Sequence, residues 1–144
     1  MKEAICTITG VVGSMITGLF GGWNAAMTTL LIFMGVDYIS GLVVAAVFKN
    51  STKTKNGALE SRACWKGLCR KGMTLVFVMI AHRLDLTMHT TYIEDAVCIA
   101  FIANESISIV EKAGLMGIKV PNVIAKAIEV LVDKADAKEE DNEL

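Results

Sequence analysis

Residues 4–36, AICTITGVVGSMITGLFGGWNAAMTTLLIFMGV, carry no charged side chain between Glu3 and Asp37. A soluble domain of 144 residues does not easily hide a run of that length. As one helix it would be about 50 Å long, whereas a bilayer core of about 30 Å takes roughly 20 helical residues. Gly21-Gly22-Trp23-Asn24 offers a break. Two glycines loosen a helix, and Trp and Asn suit a water interface. The run therefore divides into a first span at about 4–20 and a second at about 25–48, which contains one acid, Asp37.

The averages lean the same way, mildly. Hydrophobic residues make up 53%, charged residues 20%, and mean hydropathy is +0.53, against roughly 45–50% and 25% in soluble domains. A single proline and a net charge of −1 count against a disordered chain or a nucleic-acid binder. Cys64 and Cys69 lack the C-x-x-C spacing of a redox or zinc site, and Cys6 and Cys98 lie in apolar runs. All four read as reduced packing residues. One lysine ahead of a long apolar run reads as a retained anchor rather than a cleaved signal.

Residues 49–71 change character. Lys49, Lys53, Lys55, Arg62, Lys66, Arg70 and Lys71 stand against Glu60 alone. Such a basic loop is cytoplasmic by the positive-inside rule, and it anchors to anionic lipid rather than to nucleic acid. A third apolar run, 72–81, reaches 86 only by including His82, Arg83 and Asp85, and a fourth, 96–110, has Glu105 inside it. Both are short for spans. Snorkelling Arg70 and Lys71 would lengthen the third, and residues 90–93 the fourth. Glu94 and Asp95, without a lysine, suit an outer connector.

The expected fold is an all-α integral membrane protein of three to four transmembrane helices, four favoured, plus a C-terminal amphipathic helix. Residues 1–110 form the membrane domain and 111–144 a cytoplasmic tail. Four spans put the N-terminus, the basic loop and the C-terminus inside; three would put the N-terminus outside. In the tail Pro121 can open a helix. Val123, Ile124, Ala127, Ile128, Leu131 and Val132 then share one face, with Lys126, Glu129, Asp133 and Lys134 elsewhere. That helix lies on the inner leaflet or packs on a neighbour. Residues 136–144, with five acids and one lysine, read as a frayed end.

A carboxylate at bilayer depth costs about 2.5–3.5 kcal/mol, so Asp37 is expected to face a partner or water. Asn104 and Glu105 pose the same problem in the fourth run. Ala96, Ala100, Asn104 and Ser108 make a small and polar stripe that can pack on a helix or line a wet path. Asp85 clusters with His82 and Arg83, and Arg83 could pair with Asp85 or Glu105. Asp37, Asp85, Asn104, Glu105 and Ser108 are thus the candidates for pore or assembly roles. Gly10, Ser14, Gly18 and Gly41 are candidates for close helix packing, within one chain or between subunits. Metal-ligand spacing, a phosphate loop and a nucleophile elbow are absent, so the sequence predicts no enzyme, cofactor or metal.

In its order of features the chain resembles the small phage-lysis holins, which include the clostridial toxin-secretion holins. The resemblance covers about residues 30–121. It rests on Asp37-Tyr38-Ile39-Ser40-Gly41, Trp65-Lys66-Gly67-Leu68-Cys69-Arg70-Lys71 and Leu84-Asp85. Its most specific piece runs from Phe101-Ile102-Ala103-Asn104-Glu105-Ser106 through Glu111 to Gly114-Leu115-Met116-Gly117 and Pro121. Lys112 and Lys119 stand where the family pattern has an Asn and part of a Pro-x-Pro pair. The resemblance implies a protein that gathers with itself in the host cytoplasmic membrane and opens lesions, through which an endolysin or a large toxin leaves. Three other readings remain open at this level. They are a small ion channel or transporter subunit, a non-permeabilising anchor or scaffold, and an antiholin that delays a holin.

Overall fold

The computed structural model describes residues 1–53 and 55–142. Among them are five α-helices and no strand: α1 (Lys2–Leu19), α2 (Ala25–Val43), α3 (Ser61–Met88), α4 (Ile93–Leu115) and α5 (Asn122–Asn142). A π-helical turn, Val44–Phe48, continues α2.

The glycine break forms as the sequence predicts. Gly22 N–H donates to Thr17 O at 2.8 Å, and Gly21 and Gly22 take φ of 70° and 98°. A Cβ on Gly21 would run into the His82 ring, so glycine is needed there for space as well as conformation. Asn24 then caps α2, its Oδ1 accepting from Met27 N–H at 2.7 Å. At the far end Lys49 turns left-handed, φ 49°, to leave the π-helical turn.

Three boundaries differ from expectation. The basic segment 49–71 is not a loop throughout, because α3 begins at Ser61. Residues 61–71 include Arg62, Ala63, Lys66, Leu68, Arg70 and Lys71, all good helix formers, so the helix of the apolar run extends back through them. Of the residues expected to lengthen the fourth run, 90–92 stay outside the helix and only Ile93 joins it. Asp85 takes hydrogen bonds from Thr90 Oγ1 (2.5 Å), Ile93 N–H (3.1 Å) and Glu94 N–H (2.8 Å), so α4 opens at Ile93. The acidic end is helical through Asn142 rather than frayed, held by Ala135, which is buried, and Leu131, which packs on the core. Residues 143–144 lie outside the described residues.

The core is narrow. Met27, Leu30 and Met34 of α2, Val78 of α3, and Cys98 and Ile102 of α4 form its centre. Phe20, Leu75, Phe101 and Leu131 pack around them. α4 is the hub, touching α2, α3 and α5. No residue of α1 is buried, and Ile5, Ile8, Val11, Val12 and Met15 are all exposed. The total surface is 9879 Å², whereas a soluble monomer of this mass exposes roughly 7,200 Å². Many large hydrophobic side chains are among those exposed, from Ile5 in α1 to Val130 in α5.

By length and composition one helix among the described residues is long and apolar enough to cross a membrane. It is Ala25–Phe48, with a hydropathy of 2.2. The other expected spans are helical, but each of α3 and α4 carries charged side chains among its apolar ones.

Candidate functional site

Those charges have partners. The inward stripe of α2 runs Met27, Leu30, Met34 and Asp37, so the helical period that builds the core also buries the acid. On α3 the positions facing it include Lys71, Leu75 and Val78, and on α4 Cys98, Ile102, Glu105 and Lys112. Four charges from three helices therefore meet. Lys71 Nζ donates to Asp37 Oδ2 at 2.8 Å and to Glu105 Oε2 at 2.7 Å. Lys112 Nζ pairs with Asp37 Oδ1 and donates to the Asp37 main-chain oxygen at 2.8 Å. Asp37 and Lys112 are buried, and Lys71 and Glu105 are half-buried.

Two acids and two ammonium groups sum to zero, so the cluster is neutral as a unit. Each charge is hydrogen-bonded as well as paired, which is the condition for a buried ion pair to be tolerated. Gly41 contributes space. A Cβ there would stand 3.5 Å from Lys112 Cε and Nζ, in contact with the passing lysine. Tyr38 Oη donates to Cys64 O at 3.4 Å and closes one side. The cluster forms the floor of a cleft of about 650 Å³ between α2, α3 and α4, with Ser108, Lys53 and Arg70 on its walls.

Lys71 was expected to snorkel beside Arg70; it turns inward because two carboxylates are within reach. Lys112, read only as a departure from the family pattern, is a central member. Its signal was available, because Lys112 lies fourteen residues, four turns, from Cys98 on the core stripe. The expected Arg83–Glu105 and Arg83–Asp85 pairings do not form; Glu105 is taken by Lys71, and Asp85 by the start of α4.

A second polar knot closes the opposite end of the bundle. His82 Nδ1 and Glu94 Oε2 are 2.8 Å apart, and Glu94 Oε1 has no hydrogen-bond partner among the described residues. Glu94 is buried there rather than solvated in an open connector. Asn104 stays apart from both knots. It is exposed and lines a groove of about 430 Å³ between α4 and α5 with Ala100, Ala135, Asp136 and Glu139. Gly10, Ser14 and Gly18 are exposed, and among the described residues a Cβ on either glycine would meet open space. Lys49, Lys53, Lys55, Arg62, Lys66 and Arg70 are all exposed, Lys53 and Arg70 on the wall of the cleft, and Trp65 in the same segment is 67% exposed.

A small all-helical bundle with many exposed apolar side chains, a small core and a self-neutralising charge cluster is the class that fold and site define. Comparison with known proteins narrows this. The Bacteriophage holin family matches residues 14–133, and the chain belongs to that family. A probable holin of Bacillus phage phi105 is 31% identical over 112 residues, 77% of either chain. Uncharacterized proteins of Listeria innocua and Halalkalibacterium halodurans are similar too. The first is 36% identical over 129 residues, 89% of this chain and 86% of its own. The second is 35% identical over 137 residues, 91% and 96%. No solved structure matches. Family membership implies association with the cytoplasmic membrane.

Proposed function

We propose that this chain is a phage holin, which accumulates in the host cytoplasmic membrane, assembles with copies of itself and opens lesions that release an endolysin or a large toxin. The observation that carries the reading is the match to the holin family from residue 14 to residue 133. The excess of exposed apolar surface supports it, because α1 to α4 then rest in lipid as four spans, with residues 49–60 and the start of α3 on the cytoplasmic side. Residues 1–110 are the membrane domain and 111–144 a cytoplasmic amphipathic helix and acidic tail. The chemistry is physical rather than catalytic.

On this reading the Asp37–Lys71–Glu105–Lys112 cluster holds α2, α3 and α4 in a closed bundle and delays opening. Gly10, Ser14 and Gly18, exposed on α1, pack between copies. Asn104, exposed on α4, is a further assembly position, and Ser108 belongs with the cleft. The test is to express the chain alone in bacteria and follow release of a folded cytosolic enzyme together with membrane potential. Sudden release after a delay is expected. Loss of potential without release would point to an ion channel, and no effect on either would point to an anchor or an antiholin.

A further inference from the structure

The four helices of the membrane domain fall into two halves. Residues 20–24 join α1 to α2, and residues 89–92 join α3 to α4. Both turns are short and tied. Gly22 N–H donates to Thr17 O, and the Asp85 carboxylate of α3 accepts from the first N–H groups of α4. Between Phe48 and Ser61, by contrast, lie twelve residues, 49–60. Fully extended they reach about 40 Å, roughly three to four helix diameters. The joint between α1–α2 and α3–α4 is therefore where the bundle comes apart without breaking a turn.

The charges divide unevenly at the same joint. α2 brings Asp37 alone to the cluster, whereas α3 and α4 bring Lys71, Glu105 and Lys112. The Lys71–Glu105 pair lies within one half; both lysine contacts of Asp37 cross between halves. Parted, one half holds a bare acid and the other a spare cation. In lipid the apolar part of the joint attracts weakly, since acyl chains cover Met27, Leu30 and Met34 about as well as a helix does. They do not cover a charge. The acid of a parted half is satisfied by the lysines of another α3–α4 half.

We infer that copies in the lesion are joined by exchange of halves: α1–α2 of one copy docks on α3–α4 of the next, and Asp37 pairs there with Lys112 and Lys71 of that copy. This rests on the holin reading above and deepens it, naming the contact through which copies assemble. The interface is the core of the closed bundle remade between chains, so it requires no new complementary surface. Repeated head to tail, the exchange closes a ring or extends a row of copies. The cluster then has two equivalent states, shut within one chain and linked between chains.

The test gives each chain one reactive cysteine. Cys6, Cys64 and Cys69 are changed to Ser, and Cys98 stays buried in the core. One chain carries Tyr38→Cys and the other Gly67→Cys; a Cβ at Gly67 stands 3.8 Å from the Tyr38 ring, so the two sites face each other across the joint. Both are expressed together in bacteria. Membranes taken before and after release of a cytosolic reporter enzyme are treated with a short bifunctional thiol reagent, and a chain with Cys98 alone is the blank. The expected result is a dimer of the two chains at least tenfold more abundant after release than before. Release without that dimer would overturn the inference. Charge exchange covers the case in which a cysteine variant misfolds. Asp37→Lys sets three cations against Glu105, and Lys112→Asp sets three acids against Lys71, but exchanged halves of the two restore neutral clusters. Each alone is expected to cut release at least tenfold, and the mixture to return within twofold of the parent. A mixture no better than its components would overturn the inference. The dimer in membranes whose parent protein never releases the reporter would uphold the exchange and refute the holin reading.

Discussion

Replacing Asp37 by Asn keeps the shape of the side chain and removes one charge from a neutral cluster. Lys112 is then left with the Asp37 main-chain oxygen, and Lys71 with Glu105 alone. A pair at 2.8 Å attracts by about 6 kcal/mol at an effective dielectric near 20, but much of that only offsets desolvation. Removing one partner of a buried pair costs about 3–5 kcal/mol, because the other charge stays behind uncompensated. Lys112→Met alone leaves the opposite excess and has a cost of similar size. The two together restore neutrality, with Lys71 and Glu105 still joined. Unfolding of the four proteins in mild-detergent micelles therefore yields a coupling energy of about 2–3 kcal/mol. Release timing follows the same pattern: Asp37→Asn opens earlier than the parent, and the double variant returns toward it. Additive destabilisation, with coupling below about 0.5 kcal/mol, would refute the idea that the four charges act as one unit.

Other sites separate local geometry from assembly. Gly21→Ala is expected to lower the thermal midpoint more than Gly22→Ala, since both sit at positive φ but only the first meets the His82 ring; equal midpoints would count against that contact. Asp85→Ala removes the carboxylate that caps α4 and is expected to cost about 1–2 kcal/mol in the same unfolding assay. Gly10→Leu with Gly18→Leu should leave the midpoint unchanged while altering oligomer size in cross-linking gels; an unfolded chain would mean that these glycines pack internally. Externally added impermeant thiol reagent should leave Cys64 and Cys69 unmodified in intact cells before lysis, and modification there would invert the orientation.

Much of this was legible in the chain. The break at Gly21-Gly22, the helix through Phe48 and the opening of α5 after Pro121 follow from local rules of conformation and apolar length, which need no neighbours. Asp37 and Glu105 stood out because charge in an apolar run needs a reason. Their partners did not, since Lys71 and Lys112 lie in polar stretches where a lysine is unremarkable on local grounds. Helical period carries the missing information: Met27, Leu30, Met34 and Asp37 share one stripe, as do Lys71, Leu75 and Val78, and as do Cys98, Ile102, Glu105 and Lys112. What period alone lacks is which stripes face each other, and that depends on how the helices pack. The role of Asp85 was hidden for a related reason. An acid near a helix end reads as solvated until the next helix is seen to begin on it.

The order of the four charges along the chain also bears on how the protein is made. Asp37 leaves the ribosome first and Lys71 follows 34 residues later, roughly 2–7 s of synthesis. Glu105 comes a further 34 residues on, and Lys112 lies on the same helix. Acid, base, acid, base is the sequence in which they emerge. The running sum is therefore never beyond one uncompensated charge: the α2–α3 hairpin is neutral when it is complete, and α4 brings its own counter-charge with it. On the proposed membrane reading, insertion would proceed hairpin by hairpin, without waiting for the finished chain to cancel a charge already in place.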